Sequence, residues 1–195
     1  LLQYHDLIES IVSALDARDT YTASHSNRVA DMVLVLAAAL GLDPDETALI
    51  HIAAHLHDIG KIAVPDAVLR KTGPLTADEW QEMRRHPVTG YNILRRVADF
   101  QDIAVLVLHH HERWDGRGYP DGLSGDQIPI SAQVVAMADV YDALVSKRVY
   151  KDAYAPDVAV QMILHGDCGA FNPLLLDCLT DLQDTFKAEL AAPEE

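Results

Sequence analysis

The stretch DPDETALIHIAAHLHDIGK, residues 43–61, starts with the signals of a helix and ends on a cluster of polar side chains. Asp43 has the chemistry of an N-cap, Pro44 fits the first helical position, and an acid follows at the third position. We therefore predict a helix from Pro44 to about His57. The pair His57-Asp58 then places two side chains that can bind a metal at the point where the helix ends.

Helical signals continue through almost the whole chain, so we predict an all-α fold, a single compact helical bundle. The apolar segment 103–110 fits strand or helix by periodicity, and we assign a helix because its neighbours are helical. Residues 113–129 are rich in Gly and Pro and predict an ordered loop of a length typical of functional loops. The further helix signals are the apolar series Leu7, Ile8, Ile11, Val12 and Leu15, the series Val29, Met32, Val33 and Leu36, the C-cap Gly41, the capping box at Thr76, Pro87 after His86, the N-cap Ser131, Pro156, and the pair Asn172-Pro173.

The composition argues against several classes of protein. A formal net charge of −15 disfavours a nucleic-acid binder or a protein of anionic membranes, both of which need a basic face. An anionic substrate would need local cations or metals to overcome this field. The longest apolar run, residues 32–42, is too short to span a bilayer, and no signal peptide is visible. Cys168 and Cys178 fit neither a metal finger nor a disulfide framework, which predicts buried, reduced thiols and a cytoplasmic location.

Ten histidines are many for 195 residues, and several of them adjoin carboxylates. His51 and His55 are four residues apart and share a helical face, as zinc-binding pairs do, but the glutamate that zinc proteases place beside the first histidine is absent. We therefore expect these two rings to be partly buried and to form local hydrogen bonds. Other candidates for metal ligands lie in three segments and at two single positions: His57 and Asp58, which are favoured; His109, of which packing is the favoured role, with His110, His111 and Glu112; Asp139 and Asp142; His25; and His86.

A series of motifs carries a resemblance to a known family. In order they are HSNRVA (residues 25–30), HLHDIGKIAVPD (55–66), GPLTADEW (73–80), HPVTG (86–90), HHHERWDGRGYPDGL (109–123), ADVYDALVSKRVYK (138–151) and FNP (171–173). With these motifs the chain resembles the HD-GYP family, a bacterial branch of the HD metal-dependent phosphohydrolases. The resemblance implies a helical bundle of the HD-domain type and covers residues 21–173.

The resemblance also implies a set of metal ligands. Some relatives carry a glutamate where this chain has Tyr21 and hold a third metal, so we expect two divalent ions here. Iron or manganese is favoured, and imidazole with carboxylate also suits nickel or zinc. The implied ligands are His25, His57, Asp58, His86, His110, His111 and Asp139.

The activity implied by the resemblance is hydrolysis of cyclic di-GMP to pGpG, and onward to GMP, by in-line attack of water activated between two metals. Asp58 would bridge the metals and Lys61 would place an ammonium beside the phosphate. Arg148 and Lys151 resemble the residues that grip the substrate phosphates, although Val149 replaces the usual proline.

Four further residues are expected around this centre. Tyr119 either stacks on a guanine or packs the loop. Glu112 and Asp115 are expected to orient imidazoles or to pin the loop, and Asp142 to support a ligand. Two alternatives stay open: another HD phosphohydrolase acting on a different cyclic dinucleotide or nucleotide, and a receptor that binds cyclic di-GMP without turnover.

We divide the chain into three parts. Residues 1–20 form an N-terminal helix that either connects to an upstream sensor or receiver domain or caps the bundle. Residues 21–190 form the HD-GYP-like catalytic domain, and residues 191–195 a frayed tail. Because the chain starts at Leu1 without a methionine, we expect it to be a piece of something longer. A homodimer is compatible with these features.

Overall fold

The computed structural model describes residues 5–18, 24–147 and 152–183, and within these ranges all regular elements are helical. This confirms the predicted all-α fold. The α-helices are α1 (His5–Asp16), α2 (His25–Ala39), α3 (Pro44–Leu56), α4 (Asp66–Leu69), α5 (Ala77–Met83), α6 (His86–Leu94), α7 (Gln101–His109), α8 (Ile130–Val145), α9 (Pro156–Leu164) and α10 (Pro173–Asp181). Short 3₁₀ helices cover Ile59–Ala63, Ala98–Phe100 and Gly125–Gln127.

Helix α3 lies at the centre of the bundle and packs against α1, α2, α7 and α8. Its side chains at Ile50, Ile52 and Leu56 are buried in the main hydrophobic core. Burial of an aliphatic side chain of this size stabilises the fold by about 1.5–3 kcal/mol. The C-terminal end of α3, which leads into His57-Asp58, is therefore fixed by packing from several sides.

The predicted helix ends agree with the structure where the signal is local. Asp43 accepts hydrogen bonds from two amides in the first turn of α3. Thr76 and Glu79 form the predicted capping box at the start of α5. Gly41 has a φ of +67°, in the left-handed region, directly after α2, as its assignment as a C-cap requires.

The prediction that Ser131 caps α8 is wrong. Helix α8 begins at Ile130, and its N-cap position is Pro129. Ser131 is buried in the first turn, where its hydroxyl donates a hydrogen bond of 2.9 Å to Oε1 of Glu46 at the start of α3. A partner 85 residues away satisfies the hydroxyl, and the helix starts two residues before Ala132, the residue that a cap at Ser131 predicts.

Two smaller expectations concern membranes and cysteines. Among the helices that the structure describes, none combines the length and apolarity that a membrane crossing needs. Cys168 and Cys178 are free cysteines and are half-buried, so the expectation that they are buried is wrong.

Helix α1 is packed into the bundle through Ile8, Val12 and Leu15, all of which are buried. The residue that anchors its C-terminal end is Arg18. Its guanidinium donates hydrogen bonds to Asp66 and to three backbone carbonyl oxygens of the segment after the HD pair, those of Lys61, Ile62 and Val64. The first helix therefore contacts the segment that carries Lys61, while its role as a connector to another domain stays a prediction.

Replacing Arg18 with alanine should destabilise the chain, because these carbonyl groups lose a charged donor. We expect the free energy of unfolding to fall by about 2 kcal/mol, within the range for hydrogen bonds to a charged group. Arg85→Ala is the matched control, since its side chain is 69% exposed and pairs with Glu82, three residues earlier; its loss should cost less than about 1 kcal/mol. Urea unfolding of both variants measures the difference, and equal losses would contradict the assigned role of Arg18.

Candidate metal centre and adjoining cavity

The structure brings the predicted metal ligands together at one buried site. They come from five places in the fold: the start of α2, the end of α3, the start of α6, the end of α7 and the middle of α8. Each of them lies close to at least one other ligand of the set. The residues are His25, His57, Asp58, His86, His110, His111 and Asp139.

The site consists of two clusters that share one carboxylate. The α6–α7 cluster contains His86, His110 and His111, and the α2–α3 cluster contains His25, His57 and Asp58; within each, one potential ligand atom per residue lies within 4.8 Å of the others. Oδ1 of Asp58 is 3.3 Å from Nε2 of His86, and its Oδ2 is 3.4 Å from Nε2 of His57. Asp58 therefore turns one oxygen towards each cluster.

Asp139 completes the α2–α3 side. Its Oδ1 lies 3.3 Å from Nε2 of His25 and 4.0 Å from Nε2 of His57. Two carboxylates, those of Asp58 and Asp139, thus face the same pair of imidazoles from two different helical segments.

Backbone carbonyl groups fix the orientation of three rings. In each case Nδ1 donates a hydrogen bond to the carbonyl oxygen three residues earlier, and the other ring nitrogen faces the site. The pairs are His57 with Ala54 at 2.6 Å, His86 with Met83 at 2.8 Å, and His110 with Val107 at 2.7 Å. A neutral ring held in this way presents the lone pair of Nε2 to the site, as metal-binding histidines do.

The donor atoms fit divalent metal ions. The Nε2 atoms of His86 and His110 are 3.3 Å apart, although both rings use their Nδ1 proton for a backbone carbonyl. Two nitrogens bound to one ion at about 2.0–2.1 Å lie ~3.3 Å apart at a tetrahedral angle. Nε2 of His57 is buried and has no hydrogen-bond partner within the part of the chain that the structure describes. A cation at each cluster would satisfy these atoms.

The α2–α3 side contains two carboxylates that are surrounded by cationic partners. Burial would raise the pKa of Asp58, but Lys61 and His57 hold it well below its usual range. Burial likewise opposes ionisation of Asp139, and its hydrogen bond with His25 keeps its pKa below the usual value. Burial lowers the pKa of His25, but hydrogen bonds to Asp139 and Asp142 outweigh this and raise it to about 9. Both carboxylates are therefore ionised and attract cations.

The α6–α7 side is neutral instead. Burial lowers the pKa of all three of its imidazoles, and the neighbouring histidines or Lys61 lower it further. The pKa of His111 falls to about 3. Neutral imidazoles keep their lone pairs available for metal binding.

Asp142 supports His25, and Arg28 supports Asp142. Oδ2 of Asp142 accepts a hydrogen bond of 2.6 Å from Nδ1 of His25, while Oδ1 accepts one of 2.6 Å from Nε of Arg28. Arg28 is not among the site residues predicted from the sequence. The signal that could have indicated its role is its position in HSNRVA. It lies three residues after His25 and therefore on the same face of α2.

Gly60 permits the contact that brings the two clusters together. A Cβ atom at this position would overlap the carbonyl oxygen of His86 and lie 2.6 Å from the amide nitrogen of Gly90. The turn after Asp58 therefore lies directly on the backbone of α6. This close approach places Asp58 beside His86.

The loop after the adjacent histidines is held by two acidic residues. Glu112 is buried, and its Oε1 accepts hydrogen bonds from the amides of Asp121 and Gly122 at 2.7 and 3.1 Å. Asp115 accepts two hydrogen bonds from the guanidinium of Arg113. Glu112 and Asp115 were expected either to orient imidazoles or to hold the loop in place, and these hydrogen bonds agree with the second role.

A cavity of about 210 Å³ adjoins the α6–α7 cluster. The ring of Tyr119 stacks on His111 with 4.8 Å between centroids, and the guanidinium of Arg84 lies 5.1 Å from the centre of the Tyr119 ring. Arg84 and Arg117 line the cavity but were not predicted from the sequence, where both resemble ordinary solvated arginines. The lining residues are Arg84, His110, His111, Glu112, Arg113, Arg117, Gly118, Tyr119, Ala136, Val140, Cys168, Gly169, Ala170 and Phe171.

Lys61 lies at the α2–α3 cluster, where its Nζ is 2.6 Å from Oδ2 of Asp58. Its ammonium is thus placed at the edge of the predicted metal site. The two predicted phosphate ligands, Arg148 and Lys151, lie outside the described residues, as does Tyr21.

Comparison with known proteins identifies relatives for most of the chain. The family model described as "HD domain" matches residues 7–168. The cyclic di-GMP phosphodiesterase response regulator RpfG of Xanthomonas campestris is 43% identical over 89% of this chain and 47% of its own length. The 3'3'-cGAMP-specific phosphodiesterase 2 of Vibrio cholerae is 40% identical over 94% of this chain and 35% of its own length. The chain therefore spans less than half the length of these two relatives.

Solved structures agree on the fold. A crystal structure of a cyclic GMP-AMP-specific phosphodiesterase of Vibrio cholerae, V-cGAP3, superposes with a TM-score of 0.73 over 95% of this chain and 50% of that one, at 20% identity. The HD type of helical bundle and the family predicted from the motifs are confirmed by these matches.

Gly60→Ala should weaken both the fold and the metal centre, because the added methyl group pushes the turn away from α6. We expect a loss of at least about 1–3 kcal/mol in the free energy of unfolding, typical of overpacking, together with reduced metal content. Gly73→Ala is the control, since a Cβ there has no atom within 4 Å. Thermal unfolding and elemental analysis test this; if both variants behave alike, the proposed contact does not constrain the site.

The double variant His57→Ala with Asp58→Ala should lose its bound metal while keeping its helical content. It removes two of the three members of the α2–α3 cluster. One of them, Asp58, is the carboxylate shared with the other cluster. Metal content per chain and far-ultraviolet circular dichroism are the two measurements. Unchanged metal stoichiometry would argue against the ligand assignment.

Proposed function

The chain belongs to the HD domain family, and from this premise we propose that it is a metal-dependent phosphodiesterase that hydrolyses cyclic di-GMP. The observation that carries the proposal is the position of Asp58, which turns one carboxylate oxygen towards each of two imidazole clusters. Two adjacent metal positions with a shared carboxylate are the arrangement that supports hydrolysis of phosphate esters. The cavity beside the α6–α7 cluster supplies room next to this centre.

We propose that the two clusters and Asp139 hold two divalent ions, with iron or manganese preferred. The mixed imidazole and carboxylate donor set suits these metals better than calcium or magnesium. When bound, such ions would lower the pKa of a water molecule and neutralise negative charge on the phosphate. Asp58 would contact both ions.

Positive side chains around the centre offset the net charge of −15 for an anionic substrate. Lys61 stands at the α2–α3 cluster, and Arg84, Arg113 and Arg117 line the cavity on the other side. Guanidinium groups suit phosphate because they can donate two parallel hydrogen bonds. We propose that Lys61 neutralises the phosphate that is cleaved and that the arginines hold the remainder of the substrate, together with Arg148 and Lys151.

The size of the cavity suggests how the substrate fits. Ligand pockets for drug-sized molecules measure about 300–1,000 Å³, whereas this cavity measures about 210 Å³. It would therefore accept one portion of a cyclic dinucleotide and leave the rest at the open side. Since His111 and Arg84 both contact the ring of Tyr119, we propose that this ring mainly supports the wall of the cavity.

A second substrate is favoured by one specific comparison. A relative that is 40% identical over 94% of this chain carries the name 3'3'-cGAMP-specific phosphodiesterase. Both molecules contain the same 3',5'-linked phosphate ring, so the same centre could cleave either one. The choice between them would depend on contacts to the bases.

Turnover by protein purified without air and supplied with iron or manganese tests the proposal. We expect cyclic di-GMP to be converted to pGpG, with GMP as a later product, and the double variant at His57 and Asp58 to be inactive. Faster cleavage of 3'3'-cGAMP than of cyclic di-GMP would identify 3'3'-cGAMP as the preferred substrate. Binding of cyclic di-GMP with no product from either dinucleotide would identify a receptor and contradict the proposed hydrolysis.

Lys61→Ala should slow turnover of cyclic di-GMP about 10- to 100-fold, because one positive group that stabilises developing charge is removed. The metal content should change much less than the rate. Lys71→Ala serves as the control, since Lys71 pairs with Glu79 at the start of α5, away from the metal centre. If metal and activity are lost together, Lys61 acts on the structure of the site and not on the substrate.

A further inference from the structure

Three histidines form a second cluster outside the metal centre. We call His5 on α1 together with His51 and His55 on α3 the peripheral histidine cluster. One ring nitrogen from each residue lies within 4.8 Å of the others. None of the three has a part in the proposed hydrolysis.

The geometry of the cluster matches shared binding of one ion. The Nε2 atoms of His51 and His55 are 3.3 Å apart, which is about the separation of two nitrogens bound at ~2.0–2.1 Å to a tetrahedral metal. The ring of His5 has its centroid 5.6 Å from that of His51 and 5.3 Å from that of His55. The rings of His5 and His51 are parallel and that of His55 is perpendicular to both, so all three rings are in mutual contact.

Hydrogen bonding accounts for one nitrogen of the buried ring of His55, a residue that is 4% exposed. Its Nε2 lies 3.3 Å from Nε2 of His51, and its Nδ1 has no hydrogen-bond partner within the described part of the chain. The two Nε2 atoms can share a proton or bind one ion, and the approach of a nitrogen of His5 to both residues favours the ion.

His51 is oriented as a ligand would be. Its Nδ1 donates to the carbonyl oxygen of Ala30 on α2 at 3.3 Å, which leaves the lone pair of Nε2 facing His55. A ligand histidine commonly uses its second nitrogen for such a backbone contact. Glu9, one turn after His5 on α1, lies 3.9 Å from Nδ1 of His5 and adds negative charge beside the cluster.

We propose that the peripheral histidine cluster binds one late divalent transition-metal ion, with solvent as a fourth ligand. Three imidazoles without a carboxylate among them suit zinc, nickel or copper and disfavour magnesium and calcium. The sequence pattern predicted local hydrogen bonding for His51 and His55, and the structure confirms it. It did not predict the third ring, because His5 is 46 residues before His51 and its approach is a property of the fold.

The proposed ion would link α1 and α3, two helices that are separated by α2 in the sequence. It would fasten the start of α1 to α3, while Arg18 already fastens the end of α1 to the segment at residues 61–64. His55 is two residues before His57, so the same helix end would serve both metal sites. Because metal binding stabilises the state that contains the complete site, the ion would favour the docked position of α1.

Zinc stoichiometry tests this inference independently of catalysis. The probe is zinc alone, titrated in the presence of a competing chelator, with the bound metal counted per chain. We expect His51→Gln to bind one zinc ion fewer than the unmodified chain. The matched control is His165→Gln, an exposed histidine far from the cluster in sequence, which should bind as many ions as the unmodified chain.

Equal zinc content in His51→Gln and the unmodified chain would overturn the inference and leave the cluster as three packed rings. If circular dichroism shows that His51→Gln does not fold, His5→Gln decides by the same criterion, because His5 is only half-buried. Ions at the catalytic centre are present in every protein compared, so failure of the proposed hydrolysis would not change this difference.

Discussion

A single buried carboxylate, that of Asp58, is the feature on which the rest of the site depends. It lies between the Nε2 atoms of His57 and His86, at 3.4 and 3.3 Å, and it also pairs with Lys61. A buried charge is costly unless it is paired. The surrounding helices therefore have to supply compensating groups, and a pair of metal ions would complete that compensation.

The fold serves this site mainly through close backbone contacts. Gly60 allows the turn after Asp58 to lie directly on α6, and Gly118 allows the loop to pass close to the backbone of Glu112 and Arg113. Neither contact leaves room for a Cβ atom. Gly60 and Gly118 are thus required for steric reasons, independently of any metal. The close contacts that they allow position the residues that we propose as metal ligands.

The sequence was sufficient to predict those features of the fold and the site whose signal is local or carried by a motif. Caps such as Asp43 and Thr76 need only neighbouring residues, and their helices begin where predicted. Contacts between distant segments could not be predicted in the same way. Ser131 bonds to a residue of α3, Arg84 reaches the cavity through packing on Tyr119, and His5 approaches α3 only because α1 docks there.

The most direct test of the account is the location of the metals in crystals of the chain grown without air. Anomalous X-ray scattering at the absorption edge of the bound element maps the ions without any assumption about activity. We expect two peaks that flank Asp58, one in reach of His86, His110 and His111 and the other in reach of His25, His57 and Asp139. The absence of a peak beside Asp58 in metal-loaded crystals would contradict it.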